Sequence, residues 1–268
     1  MSSERIFLQE MKWPEIRELI PSKPIVIIPT GSVEQHGPHL PLEVDSRIAR
    51  ELAFASAQIL RKELSIVVAP GLEIGFSGEH LDFPGTLSLD AETFMHVASQ
   101  ILINLIGHGF EKFLFLNGHG GNEEALRLVA RSMREKHEVL IAATSYWQLA
   151  REQIKALRRS PGGGINHGGE EETALMLHLR PQLVDMNAAT AGTMRWCSSY
   201  LVGSYDQEPQ VAYGRKRADI APLGHGGDPT MATADQGKKM FEAIVEAIVR
   251  FTREFQTWRL GEMGKPRS

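Results

Sequence analysis

A chain of 268 residues with 42% hydrophobic and 23% charged residues can bury a core of its own without staples. Its formal charge of −4, with no basic stripe, argues against nucleic acid and anionic membrane as partners. Cys197 is the single cysteine, so no intrachain disulfide is possible. No apolar run reaches the roughly 18 residues of a membrane span, and the opening MSSERIFLQEMKWPEIRELI is charged throughout, unlike a signal peptide. A cytoplasmic protein is therefore expected.

In chain order, β-branched apolar runs at Pro24–Pro29, Ser65–Ala69, Phe113–Leu116 and Val139–Ala143 predict strands. Helical spacing falls between them. Ile48, Leu52, Ala55 and Ile59 share one face; Phe94, Val97, Ile101 and Leu105 share another, behind an N-cap at Asp90; Leu126, Val129 and Met133 mark a third. Buried strands alternating with amphipathic helices mean βαβ units and a mainly parallel sheet. The glycine-rich PGGGINHGG at 161–169 then leads into a helix with Glu172, Leu175, Met176 and Leu179 on one face, ended by Pro181. Residues 187–230 show no period. A last amphipathic helix, Thr233 to Trp258, turns Met240, Ile244, Ala247, Ile248, Phe251 and Phe255 to the core. The whole chain, 1–268, reads as one α/β domain.

Open parallel sheets bind ligands beyond the carboxyl ends of their strands. The first strand runs into TGSVEQHGPHLPLEVDS and the third into LNGHGGNEE, so both loops should face one crevice. Glu34 and His36, two apart in extended chain, point the same way. Asp45 lies near the start of the next helix, as an N-cap or as a third ligand. A carboxylate, an imidazole and a second carboxylate beside a strand end suit zinc, manganese or iron. His119 sits in a glycine loop that lacks the GKS or GKT of a phosphate-binding loop, which favours metal ligation. Of the run Glu170, Glu171 and Glu172, suited to a helix N-terminus by its charge, only Glu172 is in register with the apolar face, and a buried carboxylate needs a partner such as a metal. His167 lies in a loop that looks mobile. His80 and Asp82, in GEHLDFPGT, either line the crevice or serve loop hydrogen bonds. His39, Glu43 and His225 carry less signal, and His108, His137 and His178 read as structural.

GSVEQHGPHLPLEVDS, EHLDFPGTLSL, LNGHGGN, HGGEEETALML and GHGGDPTMATADQGKK together resemble, in the same order, the blocks of the creatininase (creatinine amidohydrolase) family. The resemblance implies a single three-layer α/β/α sandwich, assembly into a homo-oligomer (commonly a hexamer), and two divalent metals, zinc or manganese, with iron as a third option. Carried over by position, Glu34 and His119 would hold one metal and His36 the other, with Asp45 bridging. His167 matches a histidine implicated in proton transfer. Creatininase itself has a glutamate where this chain has Gly121; Glu172 is the expected replacement ligand, with Glu123 next in line. Asn166 and the PGGG run also depart from creatininase, where a glutamate and a tryptophan stand. The metal centre carries over, and creatinine as substrate does not.

The expected reaction is hydrolysis of a non-peptide C–N bond in a small cyclic amide or formamide. Two metals lower the pKa of a water and stabilise the oxyanion, His167 delivers the proton, and His80 contacts substrate. Family relatives that deformylate a pyrimidine, open a keto-inositol ring or trim a cofactor-precursor peptide share this centre. A catalytically silent metal-binding module and a nucleotide-binding protein are the readings outside it; the first is disfavoured by His167 and the second by the missing phosphate motifs.

Overall fold

The computed structural model describes residues 5–161, 164–192, 200, 211 and 213–261. A short helix α1 (Trp13–Leu19) precedes the repeating unit β1 (Ile25–Thr30), α2 (Val44–Leu60), β2 (Ile66–Val68), α3 (Ala91–Gly107), β3 (Lys112–Asn117), α4 (Glu123–Lys136) and β4 (Leu140–Ser145). The chain continues through α5 (Tyr146–Leu149), α6 (Arg151–Leu157), α7 (Glu170–Leu179), α8 (Arg217–Ile220) and α9 (Ala234–Thr257).

The sheet is parallel throughout, in the order β2-β1-β3-β4. Period-two alternation sends neighbouring residues of each strand to opposite faces. Ile25, Ile27, Leu114 and Leu116 pack under α2, α5, α6, α7 and α9, whereas Val26, Ile28, Phe113 and Phe115 pack under α3 and α4. The result is a three-layer α/β/α sandwich. Burial on both faces is why the strands read as unbroken apolar runs.

Each expected strand forms within a residue or two of its predicted bounds. Two helical faces are rotated from the reading by spacing. In α2 the core side runs Ile48, Leu52, Ser56 and Leu60, leaving Ile59 43% exposed; in α3 it runs Phe94, Ala98, Leu102 and Leu105, leaving Val97 36% exposed. Both stripes advance mainly in i+4 steps, with one i+3 step from Leu102 to Leu105, and so select a row of side chains along the sheet below. Asp90 caps α3 as expected, accepting from the Thr93 N–H at 2.7 Å. Thr233 caps α9 by accepting from Gln236 N–H, and α9 presses close on α7: a Cβ at Gly237 would fall 1.8 Å from the Ala174 carbonyl oxygen. The stretch that showed no period holds only α8 and a 3-10 turn, Pro229–Met231, among its described residues. Cys197 and most of residues 193–212 lie outside the described residues.

The connectivity fixes where a ligand can sit. From β1 the chain steps to one side to form β2, then crosses back to build β3 and β4 on the other. Thr30 of β1 is in register with Asn117 of β3, and Asn117 with Ser145 of β4. The loops leaving β1 and β3 therefore diverge at the same height, which opens the crevice at this topological switch point.

Candidate metal centre

The loop after β1 brings Glu34 and His36 into that crevice, and the first turn of α2 brings Asp45. The N-cap of α2 is Glu43, so Asp45 is not used as a cap. Its Oδ1 lies 2.9 Å from His36 Nε2 and its Oδ2 3.0 Å from His119 Nδ1. Glu34 Oε1 lies 3.2 Å from His119 Nδ1 and 3.5 Å from both His80 Nε2 and His167 Nδ1. Glu172 Oε2 approaches His36 Nε2 at 3.8 Å and accepts the Gly168 N–H at 2.6 Å. The rings of His36 and His80 pack against His167, tilted, with centroids 4.2 and 4.4 Å away. All seven residues are at most 5% exposed. Every residue expected to form the site is thus present in one buried cluster.

The surroundings correct several finer expectations. Glu170, Glu171 and Glu172 are all buried, not Glu172 alone. Glu170 accepts the backbone N–H groups of Arg159 and Ser160 at 2.7 Å each, and Glu171 bonds Tyr146. The loop bearing His167 is packed: its imidazole is 3% exposed, and Gly164 accepts from both Glu170 and Asp228. Glycines there serve close approach, since a Cβ on Gly169 would lie 2.4 Å from the Gly164 oxygen and 2.9 Å from Gly227. Asp82 turns to Lys216 at 3.3 Å, away from the cluster. Glu123 accepts from Ser145 and Gln148 and belongs to none of the metal-capable groups among the described residues. His39 and His225 are buried structural imidazoles, bonded to Thr173 and to the Thr190 carbonyl.

Sequence reasoning did not reach Gln35, Glu79 or Arg217. Glu79 pairs with the buried Arg217 and with Arg215, and lies 3.2 Å from His80 Nε2. Burial would raise this carboxyl, but His80 and the two guanidinium groups outweigh it and hold it near 2. Gln35 sits within the VEQHG motif itself, yet a glutamine between two charged residues carries no metal signal. Arg217 lies in the aperiodic stretch.

The donor set fits a cation. His36 Nδ1 donates to the Glu34 carbonyl at 3.0 Å, so its Nε2 lone pair faces the carboxylates of Asp45 and Glu172. His119 Nε2 donates to the Phe76 carbonyl at 3.1 Å, so its Nδ1 lone pair faces Glu34 and Asp45. Acceptor facing acceptor is repulsive unless a proton or a metal stands between them. Anchoring one ring N–H on a carbonyl is how metal-binding histidines are oriented. Both oxygens of Glu34 and Oδ2 of Asp45 are buried without a hydrogen-bond partner. Burial alone would lower the pKa of His36, but Asp45, Glu172 and Glu34 push it up to about 9; Glu34 and Asp45 raise His119 likewise against burial. Burial raises Glu34, but His119, His80 and His36 overcome this and hold it below the usual carboxylate range. The same set that attracts protons this strongly can hold divalent ions. Glu34, Asp45 and His119 form one such group, and His36, His167 and Glu172 another.

A parallel α/β/α sandwich with a buried carboxylate–imidazole cluster at its switch point has the form of a metal-binding site. The family model described as Creatininase: Creatinine amidohydrolase matches residues 9–252. The mycofactocin precursor peptide peptidase of Mycobacterium ulcerans is 34% identical over 235 residues, covering 84% of this chain and 83% of that protein. The creatinine amidohydrolase of Pseudomonas putida is 31% identical over 268 residues, covering 94% and 98%. A manganese creatininase structure matches with a TM-score of 0.78 at 26% identity, covering 94% of this chain and 98% of that one. Creatininase is also known in a zinc form of the same fold. The chain belongs to the creatininase family of hydrolases.

Proposed function

We propose that this protein is a two-metal amidohydrolase that opens a non-peptide C–N bond in a small cyclic amide or formamide. Glu34, Asp45 and His119 would hold one ion; His36 and Glu172, with Asp45, would hold the other. Zinc and manganese are the proposed metals, with iron as a third fit for this Glu/His/Asp donor set. The observation that carries the reading is the pair of imidazoles, His36 and His119, each locked by a backbone carbonyl with its free nitrogen against buried carboxylate oxygens, those facing His119 having no hydrogen-bond partner. When bound, the ions supply Lewis acidity and lower the pKa of a water.

The chain's own residues do the rest. His167 Nε2 donates to the Gln35 carbonyl at 2.7 Å, so only Nδ1 is open, beside Glu34. Burial, reinforced by His36, His80 and Arg217, keeps this imidazole well below its ordinary pKa, hence neutral and able to take a proton at Nδ1. As water adds to the carbonyl carbon, one of its protons passes to His167 Nδ1. As the C–N bond breaks, that proton passes to the leaving nitrogen. His80, with its Nε2 near Glu34 and Glu79, faces the substrate. Packing of these groups away from solvent strengthens each interaction.

A second reading is a cofactor-precursor peptidase, favoured by the 34% identity to the mycofactocin precursor peptide peptidase. Creatinine is the weaker candidate, because a Cβ at Gly121 would lie 2.4 Å from the Phe76 oxygen and leaves no room for creatininase's glutamate. We also assign a cytoplasmic setting and a homo-oligomeric, hexameric assembly. No helix among the described residues is long and apolar enough to cross a membrane.

The deciding experiment is turnover of a panel by zinc- and manganese-loaded protein: small lactams, formamidopyrimidines, keto-inositols, creatinine and the mycofactocin precursor peptide. Cleavage of a lactam or formamide supports the first reading; cleavage of the peptide alone supports the second. Loaded protein inert toward all of them refutes both. On the true substrate, His167→Ala should lower kcat by about 10²–10⁴-fold, with KM and metal content nearly unchanged. Loss of a metal from that variant would make His167 a ligand.

A further inference from the structure

Gln35 stands in sequence between Glu34 and His36, and none of the roles above involves its side chain. It is nevertheless 6% exposed and fully engaged. Its Oε1 accepts the Gly37 N–H at 2.9 Å, which fixes which end of the amide is oxygen. Its Nε2 lies 2.9 Å from the Gly224 carbonyl, 2.8 Å from His80 Nδ1 and 3.1 Å from His167 Nε2.

An amide nitrogen has two hydrogens, and three neighbours compete for them. The Gly224 carbonyl can only accept, so it takes one. His167 Nε2 is 2.7 Å from the Gln35 backbone carbonyl, which also can only accept. That ring nitrogen therefore carries a hydrogen and offers the amide no lone pair. The second amide hydrogen goes to His80 Nδ1, which must be bare. His80 then carries its hydrogen on Nε2, 3.2 Å from Glu79 Oε1 and 3.5 Å from Glu34 Oε1, while the Arg217 guanidinium, also 3.5 Å from Nε2, donates its hydrogen to Glu79 Oε1 at 2.5 Å. One residue thus sets two imidazoles in opposite senses toward Glu34. His80 presents an N–H, and His167 presents a lone pair.

We propose that Gln35 is a positioning residue of the hydrolytic centre, whose side-chain amide makes His80 a donor and whose main-chain carbonyl makes His167 an acceptor on either side of Glu34. The inference rests on the hydrolytic reading of this site. Gln35 also ties both imidazoles to the turn at Gly224, whose positive φ of 87° needs glycine and whose Cβ would strike the Gln35 amide. A glutamine is suited to this task because it alone offers, at this length, an acceptor to one side and two hydrogens to the other.

The test is the tautomer state of each histidine, read from ring-nitrogen NMR shifts of chelated and zinc-loaded protein. Signals are assigned with His80→Gln and His167→Gln. In the wild type both rings should show the Nε2–H pattern. Gln35→Glu keeps the shape and the Gly37 contact but puts an oxygen opposite His80 Nδ1, so His80 should switch to Nδ1–H while His167 does not. On whichever panel substrate is cleaved, kcat of that variant should fall about 10²-fold or more, with KM and bound metal nearly unchanged. Gln35→Met, which has no donor, should leave His80 in a mixture of tautomers and restore nothing.

A wild-type His80 in the Nδ1–H form overturns the proposal, even if Gln35→Glu fails to fold. So does a folded Gln35→Glu with an unchanged His80 signal, or with kcat within a few-fold of wild type. If no panel substrate is cleaved while the spectra show the expected pairing, the hydrolytic reading falls and the hydrogen-bond assignment stands.

Discussion

Gly121→Ala probes the room beside His119. An ideal Cβ at position 121 falls 2.4 Å from the Phe76 carbonyl oxygen and 2.5 Å from His119 Nε2, where ordinary contact begins near 3.4 Å. Those two atoms are the acceptor and the donor of the 3.1 Å bond that orients the His119 ring. The methyl group must therefore drive them from it by about 1 Å, and the ring cannot move without carrying Nδ1 off the Glu34 and Asp45 oxygens. Forced overpacking costs about 1–3 kcal/mol. Disrupting the hydrogen bond that orients a ligating histidine costs about 10–100-fold in metal affinity. Competition titration against a chromogenic chelator should show one ion weakened by that factor and the other less affected. Urea unfolding of the chelated protein should show the stability loss. Affinities within about 3-fold of wild type for both ions, with stability changed by less than the roughly 0.5 kcal/mol typical of a neutral substitution, would refute this account of His119.

Asp45→Ala should strip most of both ions, because its two oxygens face different histidines; elemental analysis that still finds two metals per chain rules out a bridge. Glu172→Ala should retain one ion of the two, and loss of neither would transfer attention to His167, which shares the second group. Burial, with Glu172 adding to it, pushes Glu171 from 4.5 up to about 8. A carboxyl raised in this way adds stability that is complete below its unfolded pKa and is lost as pH rises through 8. Glu171→Gln should therefore gain on the wild type in metal-free unfolding experiments between about pH 5 and pH 8, and parallel pH profiles would contradict the assignment.

The strands and the clustering of the candidate site residues are legible because each signal is local. Four apolar runs end where polar loops begin, and Glu34, His36 and His119 lie within a few residues of those ends. Asp45 needed only its place in the first turn of α2. What stayed hidden depends on partners far away in sequence. Ile59 and Val97 fit a helical stripe on paper, but the sheet selected the adjacent row. His167 looked mobile because glycine suggests freedom; here Gly168 and Gly169 let two loops touch. The roles of Gln35 and Arg217 arise from contacts to Gly224, His80 and Glu79, and no spacing in one segment encodes those. In the acidic run at 170–172, charge at a helix start suffices for Glu170 and Glu171 on sequence alone, because their partners, the backbone at Arg159 and Ser160 and the Tyr146 side chain, lie in other segments.

Those partners have a mechanical consequence. Successive residues on a helix point about 100° apart, so three adjacent carboxylates cannot share a target. Glu170 grips the backbone at Arg159 and Ser160, Glu171 reaches Tyr146, and Glu172 enters the crevice. The first turn of α7 is thereby braced in three directions, like the apex of a tripod. It can neither roll nor slide without breaking two contacts to relieve the third. The accuracy with which Glu172 is held thus derives from neighbours that never meet the substrate, and loosening Glu170 would blur the centre from behind.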